Sequence, residues 1–154
     1  MKTTSKIIDG NLYEYDTHGN LTHFKNSNGY EYWREYDSHG KVIHFKNSDG
    51  DEWWSDYDSD GNEIHFKDYD GYESWRDYDS KENLIHFGNS NSYEWWREYD
   101  SKGNLIHFKD SDGCETWYDS NGKKITKKQF DKLNSSCAGK IVEIDGKKYQ
   151  LTLI

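Results

Sequence analysis

The chain has no proline, only two cysteines and little apolar content. The absence of proline removes the residue that most often interrupts a β-ladder. Two cysteines, Cys114 and Cys137, make neither a disulfide framework nor a cysteine metal motif. No apolar run is long enough for a signal peptide or a membrane span, so we expect a cytoplasmic protein with reduced thiols.

The low apolar content alone would indicate disorder. Apolar residues make up 32 % of the chain and the mean hydropathy is −1.25. Aromatic residues, however, reach 17 %, and disordered chains are poor in them. We therefore expect an ordered protein whose thin apolar interior is built from Trp, Tyr and Phe.

Charge is distributed unevenly along the 154 residues. Residues 121–154 hold 8 of the 20 basic and 3 of the 29 acidic residues, so residues 1–120 hold 12 against 26. The acidic body argues against nucleic-acid binding, because phosphate contacts need cations. It favours a basic partner, although acidity also keeps an aromatic-rich surface soluble.

A repeat of 21 residues organises the chain, and the segment 30–50 is one copy. Trp recurs at that spacing, as do the pairs His-Phe and Tyr-Asp. The Trp column comprises Trp33, Trp54, Trp75, Trp96 and Trp117. A fixed period of this size is typical of a repeat architecture. It predicts a leader or edge strand over 1–11, an array over 12–125 with copies at 12–29, 30–50, 51–71, 72–92, 93–113 and 114–125, and a different C-terminal module over 126–154.

Each copy reads as two β-strands joined by turns. Alternating aromatic and polar residues predict strands near 30–37 and 41–47. Residues 38–40 fit a three-residue loop with Gly40 in the left-handed conformation, and Asp49-Gly50 fits a two-residue turn. We therefore expect an all-β fold: an antiparallel hairpin meander of about ten strands, as an open or curled sheet, with a small C-terminal cap made of a helix near 127–134 and a hairpin.

These turn lengths predict a strand register. A three-residue loop pairs Asp37 with Lys41, and a two-residue turn pairs Ser48 with Asp51. One face of the sheet would then carry a Trp/Phe stripe, and the other would carry Tyr, His and Arg. The stripe would comprise Trp33, Phe45, Trp54, Phe66, Trp75, Phe87, Trp96, Phe108 and Trp117.

The chemistry of catalysis and metal binding is not indicated. Histidines in equivalent repeats would lie about 9.5 Å apart across two strands, too far to share one metal. Asp-x-Asp-Gly at 58–61 and 68–71 lacks the remaining ligands of an EF-hand, and turn formation explains it. A catalytic site needs one asymmetric constellation, whereas the repeat offers the same groups five times. We expect no enzyme activity, no cofactor and no metal.

Repetition instead provides an acidic, aromatic surface suited to a partner, because Trp and Tyr are enriched in binding hot spots. The candidate partner-binding residues are Glu31, Glu35, Asp37, Glu52, Trp53, Asp56, Asp58, Glu73, Asp77, Asp79, Glu94, Trp95, Glu98 and Asp100. Alternatively, the Trp and Phe side chains only hold the sheet together, and the Tyr face or the turns bind.

The unit Tyr36-Asp37…Gly40…Ile43…Asp49-Gly50 and its copies resemble YD/RHS-type repeats and the hairpins of YwqK-type antitoxins. This resemblance implies a small bacterial immunity protein or antitoxin, or a phage inhibitor of the anti-CRISPR kind. The expected partner is a basic nuclease or CRISPR effector in the host cytoplasm, bound by a monomer or an edge-mediated dimer. The chain also resembles choline-binding repeats, which leaves a glycan-binding module as an alternative, and a structural repeat without ligand as another.

Overall fold

The structure is a computed structural model that describes residues 4–135, 141–144 and 147–150, with only the backbone of Ser135 and of the last two ranges. The chain divides into two compact units, and the boundary lies between Glu94 and Trp95. No helix among the described residues is long and apolar enough to cross a membrane.

The fold is all-β, as predicted, with antiparallel hairpins in tandem. The first unit contains β1 (Thr4–Ile8), β2 (Asn11–Tyr15), β3 (Leu21–Lys25), β4 (Glu31–Tyr36), β5 (Val42–Asn47), β6 (Glu52–Tyr57), β7 (Glu63–Asp68), β8 (Glu73–Tyr78) and β9 (Leu84–Asn89). Each strand pairs with the next in sequence, and no pairing among these nine strands closes the sheet onto β1. Among the described strands β1 therefore lies at an edge of the sheet, and it ends in the Asp9-Gly10 turn.

The second unit begins with the same meander. It contains β10 (Glu94–Tyr99) from Trp95 onward, β11 (Leu105–Asp110), β12 (Glu115–Tyr118) and β13 (Lys124–Ile125), which pair in that order. Thirteen strands therefore precede the helix, against about ten expected for the meander. Helix α1 (Lys127–Ser135) and a separate hairpin of β14 (Ile141–Ile144) and β15 (Lys147–Gln150) follow.

The C-terminal helix starts as the sequence predicts. Thr126 and Gln129 form a capping box: Thr126 N–H donates to Gln129 Oε1 at 2.9 Å, and Gln129 N–H donates to Thr126 Oγ1 at 3.3 Å. Phe130 packs on Trp117 with ring centroids 4.6 Å apart. The turn expected at 145–146, the segments 136–140 and 151–154, and Cys137 lie outside the described residues.

One turn type joins the strands of the array. In the turn after β4, Gly40 N–H donates to Asp37 O, and Asp37 N–H donates to Lys41 O. The Asp37 carboxylate also accepts from the N–H groups of His39 and Lys41. This turn, which we call the Asx turn, occurs eleven times between residues 4 and 135. In each case the same two backbone bonds form, and the side-chain oxygen of the first residue accepts the N–H of the residue four positions later. The turns start at Asp16, Asn26, Asp37, Asn47, Asp58, Asp68, Asp79, Asn89, Asp100, Asp110 and Asp119.

The register predicted from turn lengths is wrong at two points. The turn near Asp49-Gly50 has three residues rather than two, because Asn47 starts an Asx turn that closes on Asp51. A β-bulge also follows the first turn, so that Tyr36 pairs with Val42 but Glu35 pairs with His44. Consequently Trp33 lies opposite Lys46, and Phe45 lies opposite Arg34 and Trp53.

This shift overturns the Trp/Phe stripe. Directly paired residues share a face of a sheet, so Trp54 shares its face with His44, whereas Phe45 shares the other face with Trp53. The predicted stripe therefore separates into two sets. In the first unit Trp33, Trp54 and Trp75 lie on one face, and Phe45, Phe66 and Phe87 lie on the other. In the second unit Trp96 and Trp117 are separated from Phe108 in the same way.

No apolar side chain among the described residues is fully buried; the buried ones are polar, such as Ser55 and Ser74. Cross-strand rings take the place of a core. In the first unit, centroids lie 5.1 to 6.1 Å apart along Tyr13, Phe24, Tyr32, Phe45, Trp53 and Phe66. Tyrosine hydroxyls add ties between hairpins, as where Tyr36 donates to Leu21 O at 2.8 Å.

Candidate functional site

One face of the first unit carries Trp33, Trp54 and Trp75 together with most of the acidic strand residues. We call it the Trp–acid face. Pairing with His44, Lys46 and Trp54 places the acids of β4 and β6 on it. It includes Glu14, His23, Lys25, Glu31, Trp33, Glu35, His44, Lys46, Glu52, Trp54, Asp56, His65, Lys67, Glu73, Trp75, Asp77 and His86.

Each tryptophan of this face stacks on a histidine. The ring centroids of His23 and Trp33 are 5.0 Å apart, and the ring planes are inclined by 5°. For His44 and Trp54 the distance is also 5.0 Å and the angle is 7°. In the second unit His107 and Trp117 stack at 3.7 Å. The histidine covers one side of each indole, and the tryptophans remain 39 to 43 % exposed at positions 33, 54, 75 and 96.

Neighbouring cations hold three carboxylates, Glu31, Glu52 and Glu73, which we call the inner row. Glu52 lies 2.9 Å from His44 Nε2 and 3.3 Å from Lys46 Nζ, and Glu73 lies 2.6 Å from Lys67 Nζ. The hydrogen bond from His44 lowers the pKa of Glu52, and the bond from Lys67 lowers that of Glu73. The side chains of the three inner-row glutamates are only 22 to 26 % exposed. Their charges are therefore largely compensated by cations of the sheet itself.

An outer row of carboxylates projects into solvent. Glu35, Asp56 and Asp77 are 70 to 71 % exposed, while each lies 2.9 to 3.4 Å from the Nδ1 atom of a histidine. Glu98 occupies the equivalent place in the second unit and is 63 % exposed. The outer row therefore presents one carboxylate per hairpin beside a tryptophan edge, and the histidine orients it.

Trp53 and Trp95, two of the candidate residues, do not lie with the acids. Trp53 belongs to the opposite face, within the ring series that ends at Phe66. In the second unit Trp95 lies near Phe108 and under the guanidinium of Arg97, at 4.1 Å. The indoles of Trp53 and Trp95 are therefore in contact with other rings or with a guanidinium of the same unit.

The aspartates at 37, 58, 79 and 100 serve the turns. Each accepts backbone N–H groups from the residues two and four positions later. The bond from Lys41 N–H lowers the pKa of Asp37, and that from Asn62 lowers the pKa of Asp58. They lie at the ends of the hairpins rather than on the Trp–acid face.

Sequence reasoning missed the lysines that hold the inner row. Lys25, Lys46 and Lys67 recur one repeat apart, each paired with the glutamate of the next strand. The 21-residue period could have revealed this column of lysines, and also Gly88, which stands at the next position of the column. Their pairing with Glu depended on the correct register.

Other concave regions carry little chemistry. In the second unit a groove of about 230 Å³ is lined by Ile106, Tyr118, Phe130 and Leu133, with Asp100 and Asp119 already engaged in turns. Over the described part of the chain, no group of three or more His, Cys, Asp or Glu residues could hold a metal ion. Cys114 is exposed.

A scan against protein-family models finds no match, and neither does a search of curated protein sequences. Among solved structures the chain is similar to complexes of TcdB2-TccC3 and to a Tc holotoxin pore. The TcdB2-TccC3-TEV complex matches with a TM-score of 0.58 and 18 % identity over 77 % of this chain. The TcdB2-TccC3-Cdc42 complex matches at 0.57 and 19 % over 75 %, and a mutant Photorhabdus luminescens Tc holotoxin pore at 0.56 and 18 % over 77 %.

The chain spans only 7 % of the length of these proteins. At such identity the likeness shows the fold: tandem β-hairpin repeats.

Proposed function

We propose that this chain is a non-enzymatic inhibitor that binds a basic, nucleic-acid-processing protein through the Trp–acid face. The observation that carries the proposal is the outer row, in which Glu35, Asp56 and Asp77 are more than two-thirds exposed. Successive members lie two strands apart, which corresponds to about 9.6 Å. The surface thus repeats negative charge at regular intervals.

The exposed indole edges supply the second half of such an interface. Tryptophans are frequent energetic centres of protein–protein contacts, and charges around them add orientation and association rate. On this face every outer carboxylate has an indole two residues away along the strand, as with Trp54 and Asp56. A cationic partner surface would meet charge and apolar area together.

A nuclease or a CRISPR effector has a cationic groove because it must bind phosphates. A row of carboxylates can bind such a groove in place of the phosphates and thereby prevent the nucleic acid from binding. The biological role would then be that of a toxin immunity protein, an antitoxin or an anti-CRISPR-like phage inhibitor in the bacterial cytoplasm. The protein would act as a monomer, or as a dimer through the exposed edge strand β1.

The test is inhibition of purified basic nucleases, both CRISPR effectors and toxin nucleases, cutting a labelled substrate. We expect at least one to be inhibited at near-stoichiometric ratio, and the inhibition to weaken with added salt. The variant Glu35→Gln/Asp56→Asn/Asp77→Asn should weaken it by about tenfold or more. The control Asp49→Asn/Asp60→Asn/Asp70→Asn makes the same charge change at exposed turn positions and should leave inhibition intact.

Equal effects of the two triple variants, or no inhibition across the panel, would contradict the proposal. A second candidate function, a cell-wall glycan-binding module, is favoured by the exposure of the indole edges. Tryptophan fluorescence titrated with peptidoglycan fragments separates the two. A saturable change abolished by Trp54→Ala, without nuclease inhibition, would favour the glycan.

A further inference from the structure

The C-terminal end of the second unit is basic, whereas the array is acidic. Residues 121–154 hold 8 basic and 3 acidic residues. Five of the eight lysines lie between residue 122 and the end of α1, and all five are exposed. We call them the lysine cluster: Lys123, Lys124, Lys127, Lys128 and Lys132.

Carboxylates neutralise lysines of the array but not those of the cluster. Lys25, Lys46 and Lys67 lie 2.6 to 3.3 Å from the glutamates of the inner row. Between residues 4 and 135, by contrast, no ion pair involves any of the first four members of the cluster. The first turn of α1 contains no acidic residue. These four lysines therefore present positive charge that the described residues leave uncompensated.

Local structure brings three members of the cluster to one region of the surface. Lys123 and Lys132 line the same concavity, which has a volume of about 480 Å³. Lys128 lies one helical turn before Lys132, and residues at this spacing project from the same side of a helix. Asp119 also lines the concavity, where its carboxylate accepts two backbone N–H groups of its own turn. The region therefore carries a net positive charge.

The backbone that bears the cluster is held by hydrogen bonds. Asp119 N–H donates to Lys123 O at 3.0 Å and so closes the last Asx turn. The capping box at Thr126 starts the helix one residue before Lys127, whose Nζ lies 5.5 Å from the centroid of the Trp117 ring. Cations on an ordered backbone bind a charged ligand at a lower entropic cost than mobile ones.

The apolar residues of α1 do not suit a membrane surface. A helix that lies in a membrane interface needs a broad apolar face. Phe130 packs on Trp117 with ring centroids 4.6 Å apart, so this ring is engaged within the unit. The other large apolar residue of α1 is Leu133, which is 56 % exposed. One exposed leucine makes no such face, which favours a purely electrostatic contact with a polyanion.

We propose that the lysine cluster binds the phosphate backbone of a nucleic acid, namely the one held by the enzyme that the chain inhibits. Lysine ammonium groups bind phosphates as point charges, without regard to base sequence. Nucleic acids place phosphates at short, regular intervals, so one strand can meet several members of the cluster at once. The identity of this nucleic acid rests on the proposed function, whereas phosphate binding by the cluster does not.

Such a contact would give the inhibited complex a second point of attachment. While the Trp–acid face occupies the cationic groove, a guide strand, or the part of a substrate outside the groove, keeps its phosphates accessible. The cluster would bind those phosphates. The chain would therefore prefer the enzyme that already holds nucleic acid to the free enzyme, since only the loaded enzyme offers both contacts.

Phosphate binding can be tested on the full chain with short fluorescein-labelled RNA, single-stranded DNA and duplex DNA, by fluorescence anisotropy. We expect saturable binding, independent of sequence, that weakens between about 50 and 200 mM salt. The variant Lys123→Gln/Lys124→Gln/Lys128→Gln should weaken binding to single strands about tenfold or more, and should reduce the slope of log K against log salt by about 2. It leaves the contact of Lys127 with Trp117 in place.

The matched control Lys41→Gln/Lys81→Gln/Lys102→Gln makes the same charge change at exposed positions of the hairpin turns and should leave the salt slope unchanged. Thermal melting checks that both variants fold. Binding to none of the three nucleic acids, or equal effects of the two triple variants, would overturn the inference. Lysine-dependent binding to vesicles of phosphatidylserine and phosphatidylcholine, without binding to nucleic acid, would assign the cluster to a lipid surface and would overturn it too.

Affinity for the responsive nuclease identifies the source of the nucleic acid. The lysine variant should lower affinity for the enzyme loaded with nucleic acid about tenfold and change affinity for the free enzyme little. Equal affinities of wild type and variant for the loaded enzyme would overturn the assignment to the enzyme's nucleic acid. Nucleic-acid binding by the chain without inhibition of any nuclease would instead remove the proposed function and leave the phosphate site.

Discussion

Two residues of the array that are not glycine, Glu82 and Ser92, adopt a backbone conformation that favours glycine. The fourth position of the Asx turn has a positive φ throughout, and Gly71 with φ of 87° is typical. Glu82 and Ser92 occupy this position in their turns, both with φ of 64°. A side chain in the left-handed region costs on the order of 1 kcal/mol relative to glycine.

We therefore expect Glu82→Gly and Ser92→Gly each to raise the free energy of unfolding by about 1 kcal/mol, measured by urea denaturation. The control is the opposite substitution, Gly71→Ala, at a position with the same conformation. A Cβ there would meet no atom within 4 Å, so its expected loss of about 1 kcal/mol would report backbone strain alone. Destabilisation by both glycine substitutions would show that their side chains contribute more than the conformation costs.

Residue-level detail also separates what sequence could predict from what it could not. The turn at Asp37 is predictable, since Gly40 and Asp37 have the required chemistry. The turn at Asn47 is misread because Asp49-Gly50 alone suggests a two-residue hairpin. The Asx residue two positions earlier is the missing signal. The bulge at Ile43, between the partners of Tyr36 and Glu35, has no marker in the sequence that distinguishes it from a regular strand.

At the scale of elements, the Asx turns couple stability to pH. Hydrogen bonds to the carboxylates lower the pKa of Asp16, Asp37, Asp58, Asp79 and Asp100 below 3.8. A carboxyl whose pKa is lower in the folded state stabilises that state above its unfolded pKa. The contribution is complete above 3.8 and disappears as the pH falls through the lower folded values.

The variant Asp37→Asn/Asp58→Asn/Asp79→Asn should weaken this dependence. Asparagine keeps the Oδ1 acceptor, as Asn26 and Asn47 show in their own turns, but it does not titrate. We expect its melting temperature to fall less than that of the wild type between neutral pH and about pH 2.5, measured by circular dichroism. Parallel curves would mean that other carboxylates, such as Glu52, dominate acid unfolding.

The C-terminal helix and the strands follow from local patterns, whereas the faces of the sheet do not. Thr126 and Gln129 mark the helix start through short-range hydrogen bonds. Which residues share a face, however, depends on register, and an error of one residue exchanges the faces. For this reason the sequence pointed to the acids of the site but assigned its tryptophans, Trp33, Trp54 and Trp75, to a structural stripe. It grouped Trp53 and Trp95 with the acids, although each lies on the other face of its own unit.

For the whole molecule, ring ladders in place of a buried apolar core suggest stability that is additive over repeats. Deletion of residues 55–75 joins Trp54 to Arg76 and removes one period of 21 residues. The junction restores the order found in β10, Trp-Trp-Arg-Glu-Tyr, apart from Asp77 in place of Glu. We expect this variant to fold, with a lower but still cooperative unfolding transition by tryptophan fluorescence.

Deletion of residues 55–74 is the matched control. It removes one residue fewer, so every side chain beyond the junction in that strand changes face. This variant should lose most of its stability. If both deletions unfolded the protein, long-range contacts rather than neighbouring hairpins would hold the array.

The Asx turn also has a practical consequence. It fixes its first and fourth residues and leaves the two between them, such as Ser38-His39 and Tyr69-Asp70, exposed to solvent. Those pairs already differ from turn to turn while the backbone bonds stay the same. The rims of the hairpins are therefore natural places for a sequence library, in which a display scaffold could gain new specificities without any change to the strands.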